Sequence, residues 1–118
     1  NIKIQNNIIE TSWKNNIKRF LFLGSSCIYP KYADQPIKEE ELLSGYLEDT
    51  NKSYALAKIV AARLCEYIVR EDSTKNYKTL IPCNLYGRHD KFGKTNSQER
   101  FIILVRFSPE KKLWLAIK

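Results

Sequence analysis

Hydrophobic positions divide the chain into a short series of elements. Ile2, Ile4, Ile8, Ile9, Trp13 and Ile17 recur at mostly helical spacing, which predicts an amphipathic helix over about residues 2–15. From Arg19 to Gly24 the run Phe20-Leu21-Phe22-Leu23 does not alternate with polar residues, the pattern of a short strand buried on both faces. Residues 25–52 show little periodicity and carry Pro30, Pro36 and Gly45. A loop that long inside a small domain is usually functional. "SYALAKIVAARLCEYIVRED", about residues 53–71, is rich in good helix formers, with Thr50 or Asn51 placed to cap its first turn. Lys78 to Pro82 reads as a second buried strand, and "NLYGRHDKFGKTN" as a turn-rich loop hinged at Gly87 and Gly93. A last helix is expected over about residues 97–107, ahead of a divergent tail, residues 108–118.

Two apolar strands joined by a helix predict an α/β fold with a parallel, right-handed crossover. In such sheets ligands bind outside the carboxyl ends of the strands. The two strands leave through "GSSCIYP" and "CNLYG". Both exits then lie on one rim, and the helix at residue 53 starts from it.

Composition narrows this picture. A chain of 118 residues makes one domain at most, with the apolar fraction of a globular protein. No apolar stretch approaches the ~20 residues of a membrane span, and "NIKIQNNIIE" has no signal-peptide pattern. There is no methionine, so an excerpt or a processed product is expected. Cys27, Cys65 and Cys83 are far apart and His89 is the only histidine, which argues against zinc and against a disulfide framework. Reduced thiols in a cytoplasmic protein are the expectation. The formal charge of +7 raises nucleic acid as a partner, but the 14 lysines and 6 arginines are scattered rather than gathered in a patch. Neither a nucleic-acid nor a membrane partner is expected.

Tyr54 and Lys58 form Y-x-x-x-K at the start of the long helix, one turn apart on one face. A nearby ammonium favours tyrosinate, so a tyrosine so placed can give or take a proton. A serine hydroxyl across the cleft can hold the carbonyl oxygen that receives that proton. By residues alone the bland alternatives stay open: Tyr54 packed on the sheet with Lys58 solvated, and Ser25 and Ser26 merely satisfying backbone groups at a strand exit.

Gly-Ser-Ser, then Tyr-x-x-x-Lys, then a strand leading into Asn-Leu-Tyr-Gly resembles the extended short-chain dehydrogenase/reductases that act on nucleotide sugars. "FLFLGSSCIYPK", "NKSYALAK" and "NLYGRHDKF" are most similar to the GDP-L-fucose synthase family, over about residues 1–107. The resemblance implies the central part of a Rossmann-like doubly wound parallel sheet, without the N-terminal cofactor-binding strands or the C-terminal substrate domain. It implies NADPH as cofactor, GDP-4-keto-6-deoxy-mannose as substrate and a homodimer at full length. Carried over by position, Ser25 binds the sugar keto oxygen, Tyr54 protonates it, and Lys58 binds the nicotinamide ribose and supports the tyrosine. Cys27 is the base that removes the C3 or C5 proton. Leu23, Gly24, Ser25, Ser26, Pro82, Cys83, Asn84, Leu85 and Gln98 join Lys58 around the cofactor, and Arg106 contacts the substrate. Cys65 is expected in the core, and Tyr29, Tyr32, Tyr86 and His89 are expected to be structural.

The sequence departs from that family in three places. Its glycines, Gly24, Gly45, Gly87 and Gly93, form no G-x-G, the turn that holds a cofactor's pyrophosphate at a helix N-terminus. "TNSQER" places Gln98 where the family has a histidine acid, and glutamine has no proton to donate readily. The tail "SPEKKLWLAIK" does not follow the family's continuation. The alternatives kept beside this reading are another nucleotide-sugar epimerase or dehydratase, and a non-catalytic basic module that retains the fold.

Overall fold

The computed structural model describes residues 1–82 together with the backbone of residues 103–106 and 112–113. Its elements are α1 (Ile2–Lys14), β1 (Arg19–Leu23), α2 (Lys52–Glu71), β2 (Asn76–Pro82), β3 (Ile103–Arg106) and β4 (Lys112–Leu113). β1 and β2 pair in parallel, Arg19 opposite Asn76 through Leu23 opposite Leu80, with α2 as the crossover between them. The α/β class and the parallel pair are thus as the sequence predicts. The sheet order is β1-β2-β3-β4. β3 runs antiparallel to β2, Ile81 opposite Leu104, and β4 runs antiparallel to β3.

Three expectations need correction. Residues 103–106, assigned to a last helix, form a strand. Ile103 and Val105 are β-branched, lose rotamer freedom in a helix and fit a pleated surface, and the end of β2 offers them an edge. The second concerns β1, which is buried on one face rather than two. Phe22 is buried and Phe20 half-buried, whereas Leu21 and Leu23 on the opposite face are 59% and 50% exposed. α1 and α2 supply the cover on the buried side. Ile9 of α1 meets Ala61, Ala62, Cys65 and Ile68 of α2 over Phe22 and Tyr77. Phe20 and Tyr77, paired across the strands, bring their rings to 5.2 Å between centroids.

Residues 25–52 have little regular structure, as expected, but they are well anchored. Short 3₁₀ turns form at Ser26–Ile28, Glu39–Glu41 and Asp49–Asn51. A second apolar cluster, Ile28, Tyr29 and Leu47 with Ala55 and Ile59 of α2, pins the loop against the first half of that helix. Ile37, Leu42 and Ile81 pack on it from the side. Tyr29 is therefore structural as predicted, whereas Tyr32 lies on the surface, 84% exposed, with the Lys31 ammonium 5.7 Å above its ring. The expected cap of α2 is also different. Asn51 occupies the cap position without a side-chain capping bond, because the 3₁₀ turn at Asp49–Asn51 already leads the chain into the helix.

The far ends of the strands are closed separately. Asn16, in the left-handed region at φ 59°, turns α1 into β1. The buried Lys75 ammonium donates to its Oδ1 just ahead of β2. The carboxyl ends of β1 and β2 form the opposite rim.

Candidate active site

The rim is built by a close approach that a side chain at residue 24 would crowd. Gly24 is buried where β1 ends, and its N–H donates to the Leu80 carbonyl of β2 at 2.7 Å. A Cβ at this position would stand 3.3 Å from both that carbonyl oxygen and the Thr79 Cγ2. Residue 24 thus keeps the two strand ends together while the chain turns away. Ser25 follows in extended conformation, φ −162° and ψ 149°, at the head of the turn Ser26–Ile28, and its hydroxyl makes no capping bond there. Ser25, Ser26 and Cys27 are all half-buried.

α2 begins beside this turn. Ala55 and Ile59 in its first half seat against Ile28 and Tyr29, and Cys27 packs at the edge of the same cluster. That seating turns the other face, with Tyr54 and Lys58 one helical turn apart, toward the end of β1. The Lys58 ammonium donates to the Leu23 carbonyl at 2.7 Å. It lies 4.9 Å from the centre of the Phe22 ring and 5.5 Å from that of Tyr54. Burial, which disfavours the charged form, holds Lys58 below the ordinary lysine value, and the neighbouring Cys27 opposes that shift. Tyr54 is 39% exposed, so its ring is not sunk in the core.

Tyr54, Lys58 and Cys27 are therefore gathered at the exit of β1, with Leu23, Gly24, Ser25 and Ser26 forming that exit. Pro82 closes β2 on the same rim, half-buried. Arg106 ends β3. Cys83, Asn84, Leu85, Tyr86, His89 and Gln98 lie outside the described residues. Sequence reasoning missed the partners of Lys58, namely the Leu23 carbonyl and the Phe22 ring. The available signal was period-2 alternation, which sends Phe22 to the helix-covered face of β1. No cluster of histidine, cysteine and carboxylate side chains able to hold a metal ion occurs among the described residues. Among them, too, no helix is long and apolar enough to cross a membrane.

Cys65 contrasts with Cys27. It is fully enclosed in the α1–α2–sheet core, and burial raises its thiol from 9.0 to about 12. The folded state therefore favours the protonated thiol. Its contribution to stability is complete below pH 9.0, where the unfolded thiol is also protonated, and is lost as pH rises from there toward about 12. The urea midpoint of a Cys83→Ser chain should fall between about pH 8 and about pH 10.5 by more than that of the same chain carrying Cys65→Ala. In that background Ellman's reagent should label Cys27 promptly and Cys65 only on unfolding. Equal midpoint shifts, or prompt labelling of both thiols, would contradict the packing.

A parallel crossover whose strand exit carries Gly-Ser-Ser and whose helix opens on Y-x-x-x-K defines a class, and the chain belongs to it: residues 1–112 match the NAD dependent epimerase/dehydratase family. Within that family the chain is 55% identical over 97 residues to the GDP-L-colitose synthase of Yersinia pseudotuberculosis, covering 82% of this chain and 32% of that protein. It is 49% identical over 107 residues to the GDP-L-fucose synthase of Escherichia coli K12, covering 91% of this chain and 33% of that one. Among solved structures, it superposes on the NADP-bound GDP-mannoheptose C4 reductase of Campylobacter jejuni with a TM-score of 0.74 at 40% identity, covering 83% of this chain and 29% of the other. An NADP-bound GDP-L-fucose synthetase from Naegleria fowleri gives a TM-score of 0.70 at 28% identity, covering 77% and 30%. The chain spans about a third of the length of the curated relatives it matches.

Proposed function

We propose that this chain is the strand–turn–helix part of an NADPH-dependent epimerase/reductase acting on a GDP-4-keto sugar. The particular reaction we assign is conversion of GDP-4-keto-6-deoxy-D-mannose to GDP-L-fucose, in a cytoplasmic homodimer at full length. The observation that carries this reading is the Lys58 ammonium anchored at the Leu23 carbonyl beside the Tyr54 ring, which puts the Y-x-x-x-K pair at the strand exit that bears Ser25. The 55% identity to a GDP-L-colitose synthase favours a second reading, in which the product is GDP-L-colitose.

The described residues fit one end of the cofactor. A desolvated ammonium at the carboxyl end of β1 is a suitable donor to ribose hydroxyls, and the tight Gly24 turn leaves backbone, not side chain, at the strand exit. Lys58 would hold the ribose, with Leu23 to Ser26 and Pro82 beside the nicotinamide. NADPH when bound supplies the hydride. Tyr54 gives its phenolic proton to the carbonyl oxygen as C4 gains that hydride, so the ketone becomes a hydroxyl and tyrosinate remains. Ser25 donates a hydrogen bond to the same oxygen and stabilises the charge developing there. For the epimerisation, the Cys27 thiolate takes a proton from C3 or C5, whose electrons move into the adjacent carbonyl. Return of a proton to the opposite face inverts the centre and regenerates the ketone.

No G-x-G exists in the sequence to cradle the cofactor diphosphate. The isolated chain should therefore bind NADPH at least about 100-fold more weakly than a full-length relative. Two missing charge-assisted hydrogen bonds at ~1.5–3 kcal/mol each suffice for that loss. Calorimetry checks it, and micromolar affinity of the chain alone would contradict it. The function itself is tested in a chimera in which residues 1–107 replace the corresponding third of a GDP-L-fucose synthase. NADPH oxidation with GDP-4-keto-6-deoxy-mannose, and a rise in the share of GDP-L-fucose among the products by NMR when Gln98→His is added, support the proposal. A folded chimera that binds both ligands without turnover favours the non-catalytic module.

A further inference from the structure

Lys58 is a long, flexible side chain whose rotamer entropy opposes holding it in one place. Two groups from consecutive residues of β1 hold it. The Leu23 carbonyl accepts its proton at 2.7 Å, and the Phe22 ring stands 4.9 Å away, closer than the ring of Tyr54 at 5.5 Å. Phe22 cannot drift from this position. It is 7% exposed, wedged among Ile9, Ala61, Ala62 and Cys65, and its strand is paired residue by residue with β2. The electron-rich face of a phenylalanine attracts a cation within about 6 Å of its centre, more strongly where water is excluded. We propose that Phe22 is a positioning residue for the proposed reaction: its ring face holds the Lys58 ammonium charged and in place at the exit of β1, beside Tyr54 and Cys27.

Phe22 thus works in the opposite sense to burial. Burial pushes Lys58 toward the neutral amine, and a neutral amine would neither favour tyrosinate nor bind ribose hydroxyls as strongly. Among the described residues, the groups that act on Lys58 are the Leu23 carbonyl and Phe22 ring of β1, Tyr54 one turn earlier on α2, and Cys27 in the turn after β1. Only Phe22 is both closed off in the core and free of a titrating group of its own. The catalytic meaning of the arrangement rests on the reading of the site given above; the hold on Lys58 does not.

A fluorine series tests the hold. Phe22→Leu removes the ring but also opens the core. Phenylalanine carrying one, two, three or five ring fluorines keeps the bulk and progressively weakens the ring's attraction for a cation. Such residues are placed at position 22 of the full chain, and Lys58 is titrated by NMR of ¹³Cε-lysine, its signal assigned by loss in Lys58→Arg. The Lys58 pKa should fall stepwise along the series, by about half a unit or more in total. Packing alone would not follow the fluorine count. A Lys58 pKa that stays constant across the series, at the ordinary lysine value or below it, overturns the proposal. The titration uses neither substrate nor NADPH, so failure of the catalytic reading would leave its outcome standing, and the reverse also holds.

Discussion

Tyr54→Phe, made in the chimera that joins residues 1–107 to the flanks of a GDP-L-fucose synthase, is expected to slow reduction of the 4-keto sugar by about 10²–10⁴-fold. The substitution removes one hydroxyl and keeps the ring. The Lys58 ammonium, which faces that ring at 5.5 Å and donates to the Leu23 carbonyl, therefore keeps its partners. Tyr54 packs in neither of the two apolar clusters, so the fold should tolerate the change. The loss should fall on kcat with little change in KM, because the missing proton is needed only as the hydride arrives. NADPH absorbance under saturating substrate measures it. A variant within threefold of the parent would remove Tyr54 from the chemistry and return it to the bland role of a rim aromatic.

The second large effect concerns epimerisation. Inversion needs a base on one face of the sugar and an acid on the other, and of these the proposal assigns only the base, Cys27. Gln98 stands where the resembling family has a histidine. In the same chimera Gln98→His should speed exchange of the C3 and C5 protons by about 10²-fold or more, the contribution of one general acid. Reduction, for which the proposal uses Ser25, Tyr54 and Lys58, should change by much less. Deuterium uptake from heavy water, followed by NMR, separates the two steps. If the glutamine chimera exchanges as fast as its histidine variant, another group supplies the proton.

Much of this arrangement was legible in the sequence, and the reasons differ from element to element. α2 was readable because twenty residues of good helix formers leave little alternative, and Lys52–Glu71 lies within a residue of the expected range. The parallel pairing of β1 and β2 followed from two apolar runs joined by that helix. The two-sided burial of β1 did not hold, because an unbroken apolar run reports what a strand can cover, whereas the described helices, α1 and α2, cover only the face of Phe20 and Phe22. Residues 103–106 were misread because Ile103, Leu104 and Val105 form a short apolar run that suits either helix or strand until an edge such as β2 is available. In the site, residue types and spacing pointed to Tyr54, Lys58 and the serines of the strand exit, and the resemblance to the GDP-L-fucose synthase family added Cys27. The carbonyl that holds Lys58 was invisible, since a backbone acceptor has no signature, and only the period-2 alternation of β1 could have set Phe22 on the covered face.

The central claim is that the strand exit at Ser25 and the helix start at Tyr54 serve one carbonyl oxygen. A double-mutant cycle on the reduction step tests it most directly, with Ser25→Ala, Tyr54→Phe and the combined variant compared by kcat/KM in the chimera. Groups that act together on one atom are strongly non-additive, whereas independent sites add within about 0.3–0.5 kcal/mol. The account predicts that Ser25→Ala, damaging on its own, costs little more once Tyr54 has lost its hydroxyl. Full additivity of the two losses would contradict it.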